Sequence, residues 1–166
     1  MPVRIRVDEL CCNLTLACSV QEEIGLVGAA ALAAHEHFDA AVALEVGLAG
    51  DIPGVDDKAV SLRLGQGPAL VHKDALVHYD HRLTGHLERV AAGAGIPLQH
   101  AVFGSFGSDG AALMKADIPS ALVAFATRYT HTPFEMGHLG DIEALTDWLL
   151  AFVQTPLDMS WPPDSQ

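Results

Sequence analysis

Positive charge is scarce in this 166-residue chain. Nine Lys and Arg stand against 21 Asp and Glu, giving a net charge of −12 and a pI near 4.9. A surface of that sign repels phosphate backbones and anionic lipid, so neither nucleic acid nor a membrane is an expected partner. No apolar run reaches the ~20 residues a membrane helix needs. The start, Met1 to Val7, meets Asp8 and Glu9 before any apolar stretch and lacks the regions of a signal peptide. Cysteine is limited to Cys11, Cys12 and Cys18, an odd number inside one apolar run. That pattern suits free thiols packed as small hydrophobes in a reducing cytoplasm. Cys11 and Cys12 would point to opposite faces of a strand, which argues against a shared metal. What is present is core material: 50% hydrophobic residues and a mean hydropathy of +0.27 fit one globular domain, with no internal repeat and no linker.

The apolar periodicity predicts alternating strands and helices. Residues 11–20 read as a strand buried on both faces, 26–35 as an Ala-rich helix and 40–46 as a second strand. Six glycines and prolines mark 48–68 as loop, with at most a short strand at 60–64. A helix at 78–92, a strand at 98–103, a helix at 110–116 capped by Ser108 or Asp109, a strand at 120–126 and a helix at 141–153 follow. This order predicts an α/β fold, a largely parallel sheet with helices on both faces. The domain is expected over 1–154, with 155–166 as a flexible tail.

Ligands of parallel sheets bind beyond the strands' carboxyl ends. The expected ends deliver Glu22 and Glu23, Glu45, Ser108 and Asp109, and Arg128 and His131. Carboxylates crowded on one edge oppose one another's ionisation unless a cation joins them, and Glu with His suits zinc, cobalt or manganese. Adjacent glutamates alone are more often a solvated turn or the first turn of a helix. A lone loop histidine is more often hydrogen-bonded than ligating. Convergence from separate strands is what favours a metal site. A second group, His72, His78, Asp80, His81 and His86, reads mainly as exposed helix surface, metal binding being the less frequent alternative.

The segments Val20-Gln-Glu-Glu-Ile-Gly-Leu-Val-Gly-Ala29, Glu45-Val-Gly-Leu-Ala-Gly-Asp-Ile-Pro-Gly54, Leu64-Gly-Gln-Gly-Pro-Ala69, Gly107-Ser-Asp-Gly-Ala111 and Thr127-Arg-Tyr-Thr-His-Thr-Pro-Phe-Glu135 carry a more specific signal. In order and spacing the chain resembles the tetrahedral aminopeptidase family of glutamyl and deblocking aminopeptidases, over residues 14–153. The resemblance implies a zinc-peptidase-like fold and release of amino-terminal residues from peptides by metal-activated water. It makes Glu22 the general base, Glu23 and His131 ligands of one divalent metal, zinc or cobalt, and Glu45 a ligand of a second. Asp109 and Arg128 fall at positions lining the substrate cleft. Peptide substrate and a homo-oligomer are the implied partners. Relatives also carry, upstream of the paired glutamates, a His-x-Asp motif and an Asp bridging both metals. Neither stands before Glu22 here, so the chain resembles the carboxyl-terminal half of that catalytic domain, truncated on its amino-terminal side. The alternative expectation is therefore a non-catalytic, peptidase-derived module acting through self-association.

Overall fold

The computed structural model describes residues 5–56 and 60–160. In chain order a 3-10 turn at Val7–Glu9 is followed by α1 (Val27–His35), β1 (Ala41–Leu48), β2 (Ala69–Lys73), α2 (His81–Gly93), β3 (Gln99–Val102), α3 (Asp109–Lys115), β4 (Ser120–Arg128), β5 (Met136–Gly137) and α4 (Leu139–Val153). The sheet order is β1-β4-β2-β3, with β5 paired to the far end of β4. β4 is its spine because Ser120-Ala-Leu-Val-Ala-Phe-Ala-Thr-Arg128 offers an apolar side chain to both faces. Ala121, Val123 and Phe125 meet Leu83, Leu87, Leu145 and Trp148 beneath α2 and α4. Leu122, Ala124 and Ala126 meet Val71, Tyr79, Phe103 and Met114 on the face that carries α3. This period-two division is what a strand covered on both sides requires. The result is the expected α/β fold: a mixed, mostly parallel sheet with helices on both faces.

β1 runs parallel to β4 from Ala41↔Ser120 to Leu48↔Thr127, and β2 runs parallel to β3. β2 is antiparallel to β4. That junction reverses half of the sheet, so the carboxyl end of β3 lies at the end where β1 and β4 begin. The expectation that four carboxyl ends share one edge is thus corrected. Ser108 and Asp109 reach the site through residues 103–108, which lead back to α3, whose first residue is Asp109.

Three other expectations change. β2 begins directly after the expected 48–68 loop, in a stretch for which no element is expected, and the 60–64 region holds no strand among the described residues. α2 begins at His81, because the Asp80 side chain accepts the N–H groups of Arg82 and Leu83 at 2.9 and 3.2 Å. Residues 11–20 form no strand and pair with none among the described residues, and Cys11, Cys12 and Cys18 are exposed. Their backbone is held at the ends: the Cys11 N–H donates to the Val153 carbonyl and the Gly28 N–H to that of Val20, both at 2.9 Å. An apolar run becomes a buried strand only when a neighbour takes its ladder and a layer covers it. Here Leu16 and Val20 stay exposed. Beyond α4, Arg89 pairs with Asp158 at 3.4 Å and Met159 packs beneath α2 and α4; tail residues 161–166 lie outside the described residues.

Candidate metal and catalytic cleft

The turn that presents the paired glutamates is tight and strained. Gln21 and Leu26 adopt positive φ of 58° and 59°, and Gly25 lies at 121°. Left-handed backbone at non-glycine residues costs energy and persists where the surroundings impose it. Gly28 imposes it here, since its N–H closes on Val20 and a Cβ would sit 2.5 Å from the Val20 nitrogen. This turn presents Glu22 and Glu23 to the same cleft as Glu45. Tyr129 and His131 also adopt positive φ, of 64° and 60°, and the His131 N–H donates to Glu135 Oε1 at 3.1 Å.

Glu45 stands in the middle of β1, paired with Ala124, and not at its end. It shares the α3 face with Ala43 and Gly47, as alternation along the strand dictates. Its Oε1 accepts the N–H of Val46 at 3.0 Å. That N–H points away from β4, toward the edge of the sheet where no strand follows. Glu22, Glu23, Glu45 and His131 together line an open cleft of about 320 Å³, with Leu76 and Phe106 opposite. His131 Nδ1 lies 3.9 Å from Glu23 Oε2.

The cleft favours protons or cations over bare carboxylates. Burial pushes the Glu22 carboxyl above its ordinary range, followed by repulsion from Glu45, Glu23 and Asp109, with His131 opposing. Burial also raises Glu45; the Val46 N–H opposes it, while Asp109 and Glu23 add to it. A carboxyl raised by burial and like charge in a cleft is a candidate for proton transfer.

Asp109 and Arg128 lie behind this wall. Ser19 Oγ donates to Asp109 Oδ2, while Oδ1 is buried with no partner among the described residues. Arg128 does not line the cleft. Its Nε and Nη2 reach the two oxygens of Asp51 at 3.0 and 2.6 Å, and Asp51 also accepts the Leu64 N–H, so Arg128 anchors the 48–64 loop. That pairing holds the Asp51 carboxyl below its usual range. Asp51 stands in the quoted glycine-rich segment, which was its only signal.

Sequence reasoning also missed the support beneath α3. The Tyr79 hydroxyl donates to Asp74 Oδ2 at 2.6 Å and lies 2.9 Å from Ser108 Oγ, while Asp74 Oδ1 accepts the N–H groups of Leu76 and Val77. Burial and the Asp74 carboxylate push the Tyr79 hydroxyl far upward. Gly110 lets α3 settle on this group, since a Cβ there would lie 2.8 Å from the Tyr79 ring.

Glu23 and His131 are spaced to offer two donors to one divalent ion. Ligand atoms on a tetrahedral zinc lie about 3.3 to 3.5 Å apart, close to the Glu23–His131 spacing. Repulsion from neighbouring carboxylates at Glu22 and Glu45 also favours positive charge in the cleft. A metal pair is not matched: among the described residues no further carboxylate or imidazole lines the cleft to bridge two ions.

Residues 4–148 match the M42 glutamyl aminopeptidase family. The chain belongs to that family. FrvX of Escherichia coli (strain K12), named an aminopeptidase, is 34% identical over 139 residues, covering 82% of this chain and 39% of FrvX. The TET aminopeptidase of a marine-sediment Thaumarchaeota archaeon superposes with a TM-score of 0.79 at 32% identity, over 82% of this chain and 38% of that one. The TET1 peptidase of Pyrococcus horikoshii, described as assembling into a tetrahedron or a large octahedral shell, gives 0.68 at 27%, over 81% and 39%. This M42 chain therefore spans about two fifths of the length of the relatives it matches. No described helix is long and apolar enough to cross a membrane.

Proposed function

We propose that this M42 chain carries the base and one-metal half of an aminopeptidase site and acts on the amino termini of peptides. The convergence of Glu22, Glu23, Glu45 and His131 from separate elements on one cleft carries the reading. Glu23 and His131 would hold a divalent ion of the zinc or cobalt class, with Glu45 facing the same space. Such an ion supplies a Lewis acid for the scissile carbonyl and lowers the pKa of a neighbouring water. Glu22 then accepts the water's proton on its carboxylate and returns it to the leaving amine. Its raised pKa suits both steps. Leu76 and Phe106 exclude water from one side of the cleft. The assembly of the P. horikoshii relative, together with the exposed apolar side chains Phe134 and Leu139 after β4, supports a homo-oligomer.

The second reading, a non-catalytic module, rests on the cleft lining, which among the described residues holds no further carboxylate to bridge two ions. Hydrolysis of an aminoacyl-chromophore by wild type and Glu22→Gln, each with Zn²⁺ or Co²⁺ added, separates the two. Loss of a general base lowers the rate by about 10²- to 10⁴-fold. Equal, near-background rates for both proteins would leave only the module.

A further inference from the structure

Two histidines and a glutamate meet on the face of the sheet turned away from the cleft. His100 pairs with Leu70, which belongs to the cluster beneath α2 and α4, whereas Glu45 and α3 occupy the other face. His72 Nε2 lies 2.8 Å from His100 Nδ1, with the ring planes 16° from parallel. His100 Nδ1 lies 3.5 Å from Glu88 Oε1 of α2. One donor atom from each residue falls within 4.8 Å of the other two, a triple that the cleft side chains do not form among the described residues. The backbone contributes as well. The register of β2 against β3 shifts between Val71 and Lys73, leaving His72 as the additional residue. Bulges of this kind re-aim a side chain and are common beside functional sites.

We propose that His72, Glu88 and His100 form a second divalent-metal site, of the zinc class, which ties edge strand β3 to β2 and α2. Two imidazoles and one carboxylate are a donor set for zinc, cobalt or nickel in preference to magnesium or calcium. Three protein ligands leave a fourth position for water. In the metal-free pair one ring donates its N–H to the other. When an ion enters, that ring carries its proton on its other nitrogen and both facing nitrogens become ligands. Their separation must open from 2.8 Å to about 3.3 Å, a small turn of the half-exposed His100 ring. The histidine-rich tract read from the sequence supplies only one of these ligands. His78 bridges back to Lys73, and His86 is buried against Phe152, so that tract is neither wholly exposed nor wholly helical. Glu88 and His100 came from outside it.

The test uses the full chain with the cleft pair removed by Glu23→Gln and His131→Asn, titrated with Zn²⁺ by calorimetry and checked for bound metal after dialysis. One zinc per chain is expected. Adding His100→Gln should weaken it by more than the roughly 10- to 100-fold that losing a supporting partner costs a metal site. Nitrogen-15 spectra of the rings should show His72 and His100 shifting on zinc addition and the remaining histidines unmoved. Absence of tight zinc in the cleft-deleted chain, or zinc unaffected by His100→Gln, overturns the proposal. If His72→Gln does not fold, the half-exposed His100 decides alone.

Discussion

Removing one oxygen atom from Tyr79 should loosen the whole platform under α3. Tyr79→Phe deletes a hydrogen bond of 2.6 Å to a carboxylate that is fully buried, and a second contact of 2.9 Å to Ser108. A hydrogen bond to a charged group contributes about 1.5 to 3 kcal/mol and a neutral one about 1. Asp74 keeps its two backbone donors on Oδ1, yet Oδ2 would be left buried and unpaired. The expected loss is roughly 2 to 4 kcal/mol, or about 5 to 12 °C in Tm for a domain of this size. Ser108→Ala, which removes only the neutral bond, should cost about 1 kcal/mol. Urea denaturation and calorimetry measure both. In an Asp74→Asn background the Tyr79→Phe effect should shrink by about 1 kcal/mol or more, because the two groups share one interaction. A Tyr79→Phe protein within about 0.5 kcal/mol of wild type, or an undiminished effect in the Asp74→Asn background, would refute the reasoning.

Three other outcomes are expected. Glu22 and Glu45 bind protons more tightly folded than unfolded, so the metal-free chain should lose stability as pH rises from the ordinary 4.5 through their raised pKa values, and stay destabilised above. Glu45→Gln should flatten that slope and raise Tm at pH 7 without metal, as thermal scans across pH would reveal. Trp148→Ala removes a fully buried ring whose Nε1–H donates to the Leu87 carbonyl at 2.9 Å; chemical denaturation should register a loss of about 3 to 5 kcal/mol. Arg128→Ala frees Asp51 and the 48–64 loop, so faster amide exchange at Leu64 is expected, with little change in metal binding at the cleft.

The legible parts of the fold were those whose own sequence carries a period. β1, β3, β4 and all four helices follow from apolar spacing and the alanine run, with the start of α2 moved to His81 by the Asp80 cap. β2 was hidden because Ala69-Leu-Val-His-Lys is only five residues and follows Gly-Gln-Gly-Pro, so turn signals dominated the window. The 11–20 run failed for the opposite reason. Its composition is that of a strand with neighbours, and composition cannot supply them. At the cleft, the motifs placed Glu22, Glu23, Glu45 and His131 together, but not Asp109 behind Ser19 or Arg128 locked to Asp51. Those depend on which way a side chain turns, which spacing along the chain does not encode. The antiparallel junction between β2 and β4 escaped for a related reason: alternation of strand and helix sets order, whereas direction depends on where β2 inserts.

Zinc titration of the chain with the far-face histidines removed, His72→Gln and His100→Gln, tests the cleft most directly. One ion per chain is expected, lost or severely weakened by Glu23→Gln and by His131→Asn, and retained by Glu22→Gln, whose role is proton transfer. No bound ion, or an ion indifferent to Glu23 and His131, would contradict the assignment of this cleft as a metal centre.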